Sequence, residues 1–336
     1  MKVLYAIQGT GNGHLSRSMD IVPRLQQMAE VDVVVSGIQG DLKLPFPVKY
    51  KFHGMGFIFG KSGGVDLWRT FYKSNFRKFL KEVNQLPVEE YDLVLCDFEP
   101  VSAWACYLKN KTCIGLSHQS AVLAQNVPKA DSDDMIGKLI LKQYAPVTEQ
   151  YGFHFKSFAG NIYTPVIRKQ VREQLVENRG HYTVYLPAFD DDKLIEKLSK
   201  FKQVQWDVFS KHNKKAFKHK HISIQPINNE EFIHSMATSA GVLCGAGFET
   251  PAEALFMKKK LLVIPMKNQY EQQLNAAALK SMGVTVIKSL KAKHDEVITN
   301  WLQNGQVIQV NYPDQTQQVL DTIFARHAAK QPLLVQ

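Results

Sequence analysis

Gly9-Thr10-Gly11-Asn12-Gly13-His14 follows the apolar run Val3-Leu4-Tyr5-Ala6-Ile7 and opens a helix-type pattern. The run is too short for a membrane span or a secretory apolar region and reads as a buried first strand. Glycines after it let the backbone turn tightly and approach a ligand. The helix that follows presents free N–H groups and the positive end of its dipole. A strand, a glycine turn and a helix in this order form the opening unit of a parallel α/β sheet, whose ligands sit at the carboxyl edge of the strands.

Outward from this turn, strands are expected near 2–8, 31–36, 48–53, 91–96 and 112–117, with helices near 14–29, 67–85, 100–109 and 135–150. The pattern restarts at about residue 180, with strands near 182–187, 203–209, 221–225, 240–244, 260–265 and 284–288 and helices between them. The 336 residues exceed one ordinary core and suit two domains of roughly 150 residues. The expected architecture is therefore α/β, with two Rossmann-like halves joined by a linker at about 160–180. A last helix follows Pro313, beyond the final strand, and must pack on something already built.

A dinucleotide site needs an acid at the end of the second strand to hold a ribose. Here that strand runs into Ser36-Gly37-Ile38-Gln39-Gly40 and the acid is missing. His14, directly after the glycines at the start of the helix, offers different chemistry, since an imidazole there can take a proton from a hydroxyl nucleophile. Asp97 and Glu99 end the strand Leu93-Val94-Leu95-Cys96, and His118 and Gln119 follow Leu116-Ser117, so both clusters reach the same carboxyl edge. Either carboxylate could orient His14, and the residue pattern alone does not choose between Asp97 and Glu99.

The second half carries Gly245-Ala246-Gly247-Phe248-Glu249-Thr250-Pro251-Ala252-Glu253, then Leu261-Leu262-Val263-Ile264-Pro265, then Asn268-Gln269-Tyr270-Glu271-Gln272-Gln273-Leu274-Asn275-Ala276. This is a strand end, a glycine turn, a helix, a buried strand, a proline stop and a polar loop into a helix. Amides at the turn suit a diphosphate, Glu253 suits two ribose hydroxyls, and Gln269, Glu271, Gln272 and Asn275 offer partners for a sugar.

These pieces resemble the inverting nucleotide-sugar glycosyltransferases of the GT-B fold, including the lipid-linked N-acetylglucosaminyltransferase of peptidoglycan synthesis and the monogalactosyldiacylglycerol synthases. The Gly-Thr-Gly-x-Gly-His turn matches Gly9 to His14, the donor motif Gly-x-x-Thr-x-x-Glu matches Gly247, Thr250 and Glu253, and its continuation matches Gln272, Gln273, Asn275 and Ala276. Paired glycines of the family are replaced by Gly245-Ala246-Gly247. The resemblance implies two Rossmann-like domains facing across a cleft. The acceptor domain would span 1–165, with the 312–330 helix crossing back onto it, and the donor domain 166–311. It further implies a nucleotide-sugar donor of UDP type, a hydroxyl acceptor that is a lipid or a glycan, and His14 as general base. Gly11, Asn12, Gly13, Gly245, Ala246, Gly247, Phe248, Glu249, Thr250 and Glu253 would be donor contacts, and His118 and Gln119 would face the acceptor. No cofactor and no metal are expected. Asp131-Ser132-Asp133 and Asp190-Asp191-Asp192 resemble metal-binding pairs, but the first sits in a polar loop and the second at a helix start, where Asp caps are usual.

Composition fits this picture. Hydrophobic residues are 45% and charged residues 21%, as in an ordinary globular protein, and no apolar stretch is long enough to span a bilayer. Cys96, Cys106, Cys113 and Cys244 form no CxxC pair, which favours a reduced, cytoplasmic setting. The net charge of +10 divides as 18 Lys+Arg against 15 Asp+Glu in residues 1–160 and 23 against 16 beyond, leaving +3 and +7. It favours an anionic partner. Residues 54–81 mix Phe, Trp and Tyr with Lys and Arg, as a segment resting on the inner face of an anionic membrane would, or as an ordinary amphipathic helix with Phe71, Phe76, Phe79 and Leu80 in the core. Two other readings remain, a same-fold epimerase or hydrolase acting on the nucleotide sugar, and a basic nucleic-acid-binding module. The second lacks an aromatic RNA motif, and its charge forms no single stripe, so no nucleic acid is expected.

Overall fold

The structure is a computed structural model and describes residues 1–37, 43–55, 76–122, 124, 126–130, 134–158 and 160–328. Among them are two seven-stranded sheets. The first uses β1 (Lys2–Gln8), β2 (Glu30–Ser36), β3 (Tyr50–Phe52), β4 (Leu93–Asp97), β5 (Cys113–Ser117), β6 (Glu149–Phe153) and β7 (Ile162–Tyr163). Its order is β3-β2-β1-β4-β5-β6-β7 and every pairing is parallel. The second uses β8 (Tyr182–Tyr185), β9 (Trp206–Ser210), β10 (Phe217–His219), β11 (Ile222–Pro226), β12 (Gly241–Gly245), β13 (Lys260–Ile264) and β14 (Thr285–Val286). Its order is β10-β11-β9-β8-β12-β13-β14, parallel except for the β10–β11 edge. Strands covered on both faces must be apolar along their whole length. Val3 to Ile7 and Leu93 to Cys96 are accordingly buried without alternation.

The helices are α1 (Asn12–Met28), α2 (Phe76–Gln85), α3 (Pro100–Leu108), α4 (Gln119–Val122), α5 (Met135–Gln143), α6 (Lys169–Arg172), α7 (Asp191–Leu198), α8 (Asn229–Thr238), α9 (Glu249–Phe256), α10 (Tyr270–Ser281), α11 (Asp295–Asn304) and α12 (Thr316–His327). On α1, Leu15, Ile21, Val22 and Leu25 share the buried face that covers the first sheet. Sheet order reverses direction between β1 and β4 in the first sheet and between β8 and β12 in the second. Crevices open at such reversals, and both glycine turns lie there. The β1–β4 register sets Ile7 beside Asp97, so the first turn and the Asp97 carboxylate leave the sheet at the same level.

The final helix returns to the first sheet. Val319, Leu320 and Ile323 of α12 are buried, Arg24 on α1 donates to Asp314 at 2.5 Å, and the Tyr312 hydroxyl donates to the Phe155 carbonyl at 3.0 Å. Two expectations need adjustment. The helix expected over 135–150 ends at Gln143, because Pro146 bars helix from the preceding residue, and Glu149–Phe153 becomes strand β6. The 160–180 linker contains β7 and the short α6. Beyond these, the Lys- and His-rich residues 211–221 fold as an exposed edge hairpin through β10. In α2, Phe79 is buried while Phe76 and Leu80 are exposed; residues 56–75 and Asp131 to Asp133 lie outside the described residues.

Candidate active site

The first turn puts His14 in the opening turn of α1, after Gly11, whose φ of 93° lies in the left-handed region open to glycine. His14 Nδ1 lies 2.8 Å from Asp97 Oδ1. Asp97 is fully buried; burial opposes its ionisation, but Arg17 and His14 outweigh that and hold the carboxyl below its usual range. An anionic oxygen at that distance fits a ring proton on Nδ1 and the lone pair on Nε2, which lies 3.5 Å from the Gln119 side-chain nitrogen. Phe98, next in the chain, adopts φ 56° and stacks on the imidazole at 6.4 Å with a 12° interplanar angle. A bulky residue in this conformation is strained, and strain of this kind concentrates at functional turns.

Glu99 does not reach His14. Its carboxylate accepts from the Val101 and Ser102 amides at 2.7 Å and from the Ser36 hydroxyl, so it is the N-cap of α3. Burial raises its pKa. Ser36, at the strand end where a dinucleotide fold would hold its acid, serves this cap.

A residue the sequence reading passed over, Arg17, ties the site together. Its side chain is 2% exposed, and Nε and Nη2 grip Asp97 at 3.1, 2.6 and 2.9 Å. Nη2 also comes within 3.1 Å of His14 Nδ1, and Nη1 reaches Glu249 at the start of α9 in the other sheet's unit. The i, i+3 spacing from His14, which places two side chains on one helix face, was the available signal.

The two units meet over this point. His118 Nδ1 donates to the Phe153 carbonyl at 2.8 Å, Nε2 meets the Asn275 side-chain amide at 2.7 Å, and its ring lies on Phe248 at 3.8 Å and 7°. Burial drives His118 well below the ordinary imidazole pKa. Asn275 also donates to the Ala246 carbonyl at 3.1 Å, which pins the second turn. Gln119 Nε2 donates to Glu271 at 3.1 Å and stands 3.5 Å from His14 Nε2, while its Oε1 and that of Gln269 have no partner among the described residues. Burial raises the pKa of Glu271. Thus His14, Asp97, Gln119, Glu249 and Glu271 converge on one small volume, joined by Arg17.

Beside the second turn opens a cavity of about 810 Å³ lined by Gly245, Gly247, Thr250 and Gln272, with Tyr185 and Phe189 opposite and Lys193, Lys267, Lys288 and Lys291 on its wall. Its volume is in the range of small-molecule sites. The Gln272 Oε1 accepts from the Met266 amide at 2.9 Å and holds the loop that closes it. Glu253 turns away from this cavity. Arg168 grips its carboxylate at 2.5 and 2.7 Å and holds Asn229 at 2.6 Å, so a ribose reaches Glu253 only where Arg168 gives way. Asp190 pairs with Lys193 at the start of α7, Asp191 accepts from Asn213, and no cluster able to hold a metal occurs among the described residues.

Solved glycosyltransferases share this architecture. MurG of Acinetobacter baumannii aligns at 15% identity over 96% of this chain and 99% of its own, with a TM-score of 0.59. SsfS6 of a Streptomyces species, complexed with thymidine diphosphate, aligns at 12% identity over 96% and 99% with a TM-score of 0.57. SnogD of Streptomyces nogalater aligns at 13% over 96% and 99% with a TM-score of 0.54. No curated protein matches the sequence. The fold is GT-B, with two Rossmann-like units. The sequence model of glycosyl transferase family 1 matches residues 1–305, and the chain belongs to that family.

Proposed function

We propose that this glycosyltransferase transfers a sugar with inversion from a UDP-type donor to a hydroxyl acceptor, using His14 as general base. The observation that carries this is the 2.8 Å contact of His14 Nδ1 with Asp97, which leaves the Nε2 lone pair available to take a proton. The acceptor O–H gives its proton to Nε2 as its oxygen forms the bond to the anomeric carbon. The bond from that carbon to the diphosphate breaks on the opposite face, and the electron pair leaves with the phosphate. A single displacement inverts the centre. Asp97 steadies the imidazolium that forms, a role worth about 10² to 10⁴ in rate for the pair. Amides of the Gly245 to Gly247 turn and the start of α9 receive the diphosphate in place of a metal. Gln119, Gln269, Glu271 and Gln272 carry amide and carboxylate groups suited to sugar and acceptor hydroxyls. No helix among the described residues is long and apolar enough to cross a membrane; a lipid acceptor would be met at the inner membrane face by the acceptor unit.

A thermal-shift panel of UDP-, GDP- and TDP-sugars tests the donor assignment, since a ligand at 100 times its Kd stabilises by about 2.7 kcal/mol. UDP-sugars should raise the midpoint most, and a panel with no shift overturns the reading. With the donor found, chelator should leave turnover unchanged if no metal takes part.

A further inference from the structure

We propose that Arg17 is a positioning residue that, shared between Asp97 and Glu249, sets the proton affinity of His14. The inference rests on the reading of His14 as base and adds a part that neither the glycine turn nor the donor motif supplies. Three observations meet in it. Arg17 is 2% exposed and spends its fork on Asp97, the carboxylate that orients His14. Its remaining nitrogen crosses to Glu249, the first residue of α9, directly after the second turn. Gly13 makes room for that crossing, because a Cβ there would stand 2.5 Å from Glu249 Oε2.

The consequence is electrostatic. An Asp that faced His14 alone would hold the imidazolium strongly and keep the base protonated. A guanidinium shared between Asp97 and Glu249 neutralises part of that pull. Without Glu249, Arg17 rests wholly on Asp97 and weakens proton binding at His14; with Glu249 in place, part of the guanidinium charge is drawn away and the pull of Asp97 is restored. Among the described residues, the charged groups facing His14 are Arg17 from its own helix, Asp97 from β4, and Glu249 and Glu271 from α9 and α10. Arg17 is the only cation among them.

The test is an NMR titration of the ¹³C-histidine-labelled full chain, with the His14 resonance assigned by its loss in His14→Gln. Arg17→Met should move the His14 midpoint up by one pH unit or more. Arg17→Lys should bring it most of the way back, and Glu249→Gln should move it down. Opposite shifts from two sides of one ion pair are not produced by loosened packing. Midpoints equal to the unsubstituted protein's in Arg17→Lys and Glu249→Gln, together with an unchanged or unfolded Arg17→Met, overturn the proposal, as do shifts in the same direction for Arg17→Met and Glu249→Gln. The titration needs no substrate, so it stands apart from the base assignment. Loss of turnover in His14→Ala with no titration shifts would reject the Arg17 role alone, and full turnover in His14→Ala would reject the base.

Discussion

Replacing His154 by Phe should flatten the acid sensitivity of this protein. His154 follows β6, is fully buried, and neither ring nitrogen has a partner among the described residues. Its neighbours are the rings of His118 at 5.4 Å, Phe155 at 5.5 Å and Phe158 at 5.0 Å. Burial lowers its pKa from 6.5 to about 4. A histidine whose folded pKa lies below its unfolded value binds fewer protons folded than unfolded between those two limits, so stability rises with pH across the window and is lost as pH falls. A fall from 6.5 to about 4 corresponds to about 3 kcal/mol, of which about 2 kcal/mol is gone by pH 5. His118 acts in the same direction. Urea unfolding of both proteins, followed by circular dichroism at pH 7.5 and pH 5, reads the effect. The gap in unfolding free energy between original and variant should change by about 2 kcal/mol in favour of His154→Phe at the lower pH. An equal acid loss in both proteins would refute the reasoning.

Other consequences follow from contacts at the site and the linker. Asp97→Asn keeps the shape but removes the anionic acceptor of His14 Nδ1, and turnover should fall about 10² to 10⁴-fold while calorimetry finds nucleotide affinity little changed; near-normal turnover would contradict the pairing. Lys259 is buried and donates to the carbonyls of Glu177, Ala237 and Ser239 at 2.6, 2.6 and 2.8 Å. Lys259→Met strands those acceptors and should lower stability by about 2–4 kcal/mol in thermal unfolding; a loss under about 0.5 kcal/mol would show the carbonyls find water. Gly13→Ala pushes Glu249 out of its seat, and hydrogen exchange in α10 should quicken as the units part; unchanged exchange would mean the Arg17–Glu249 contact does not hold the cleft.

The fold was legible because parallel strands must be apolar throughout and because glycine turns and Pro313 punctuate them. Strand β6 hid behind the polar start Glu149-Gln150, although Pro146 marked the end of the helix before it. His14 and Asp97 were legible as polar residues at the carboxyl ends of neighbouring strands. The choice between Asp97 and Glu99 needed coordinates, yet Pro100 at the first helical position already hinted that Glu99 is a cap. Arg17 and Arg168 were missed because a long basic side chain in a sequence reads as solvated. Glu249 lies on the far unit from Arg17 and Glu253 is 85 residues from Arg168, and no local periodicity reports a contact across more than 80 residues.

The central claim is that His14, oriented by Asp97, takes the acceptor proton in an inverting transfer. It is tested most directly by following, with NMR, turnover of the donor selected by thermal shift in the unsubstituted protein and in His14→Ala. The product should carry the opposite anomeric configuration to the donor, and the rate should drop at least ~10²-fold in the variant. A retained configuration, or a His14→Ala rate close to the unsubstituted protein's, would contradict it.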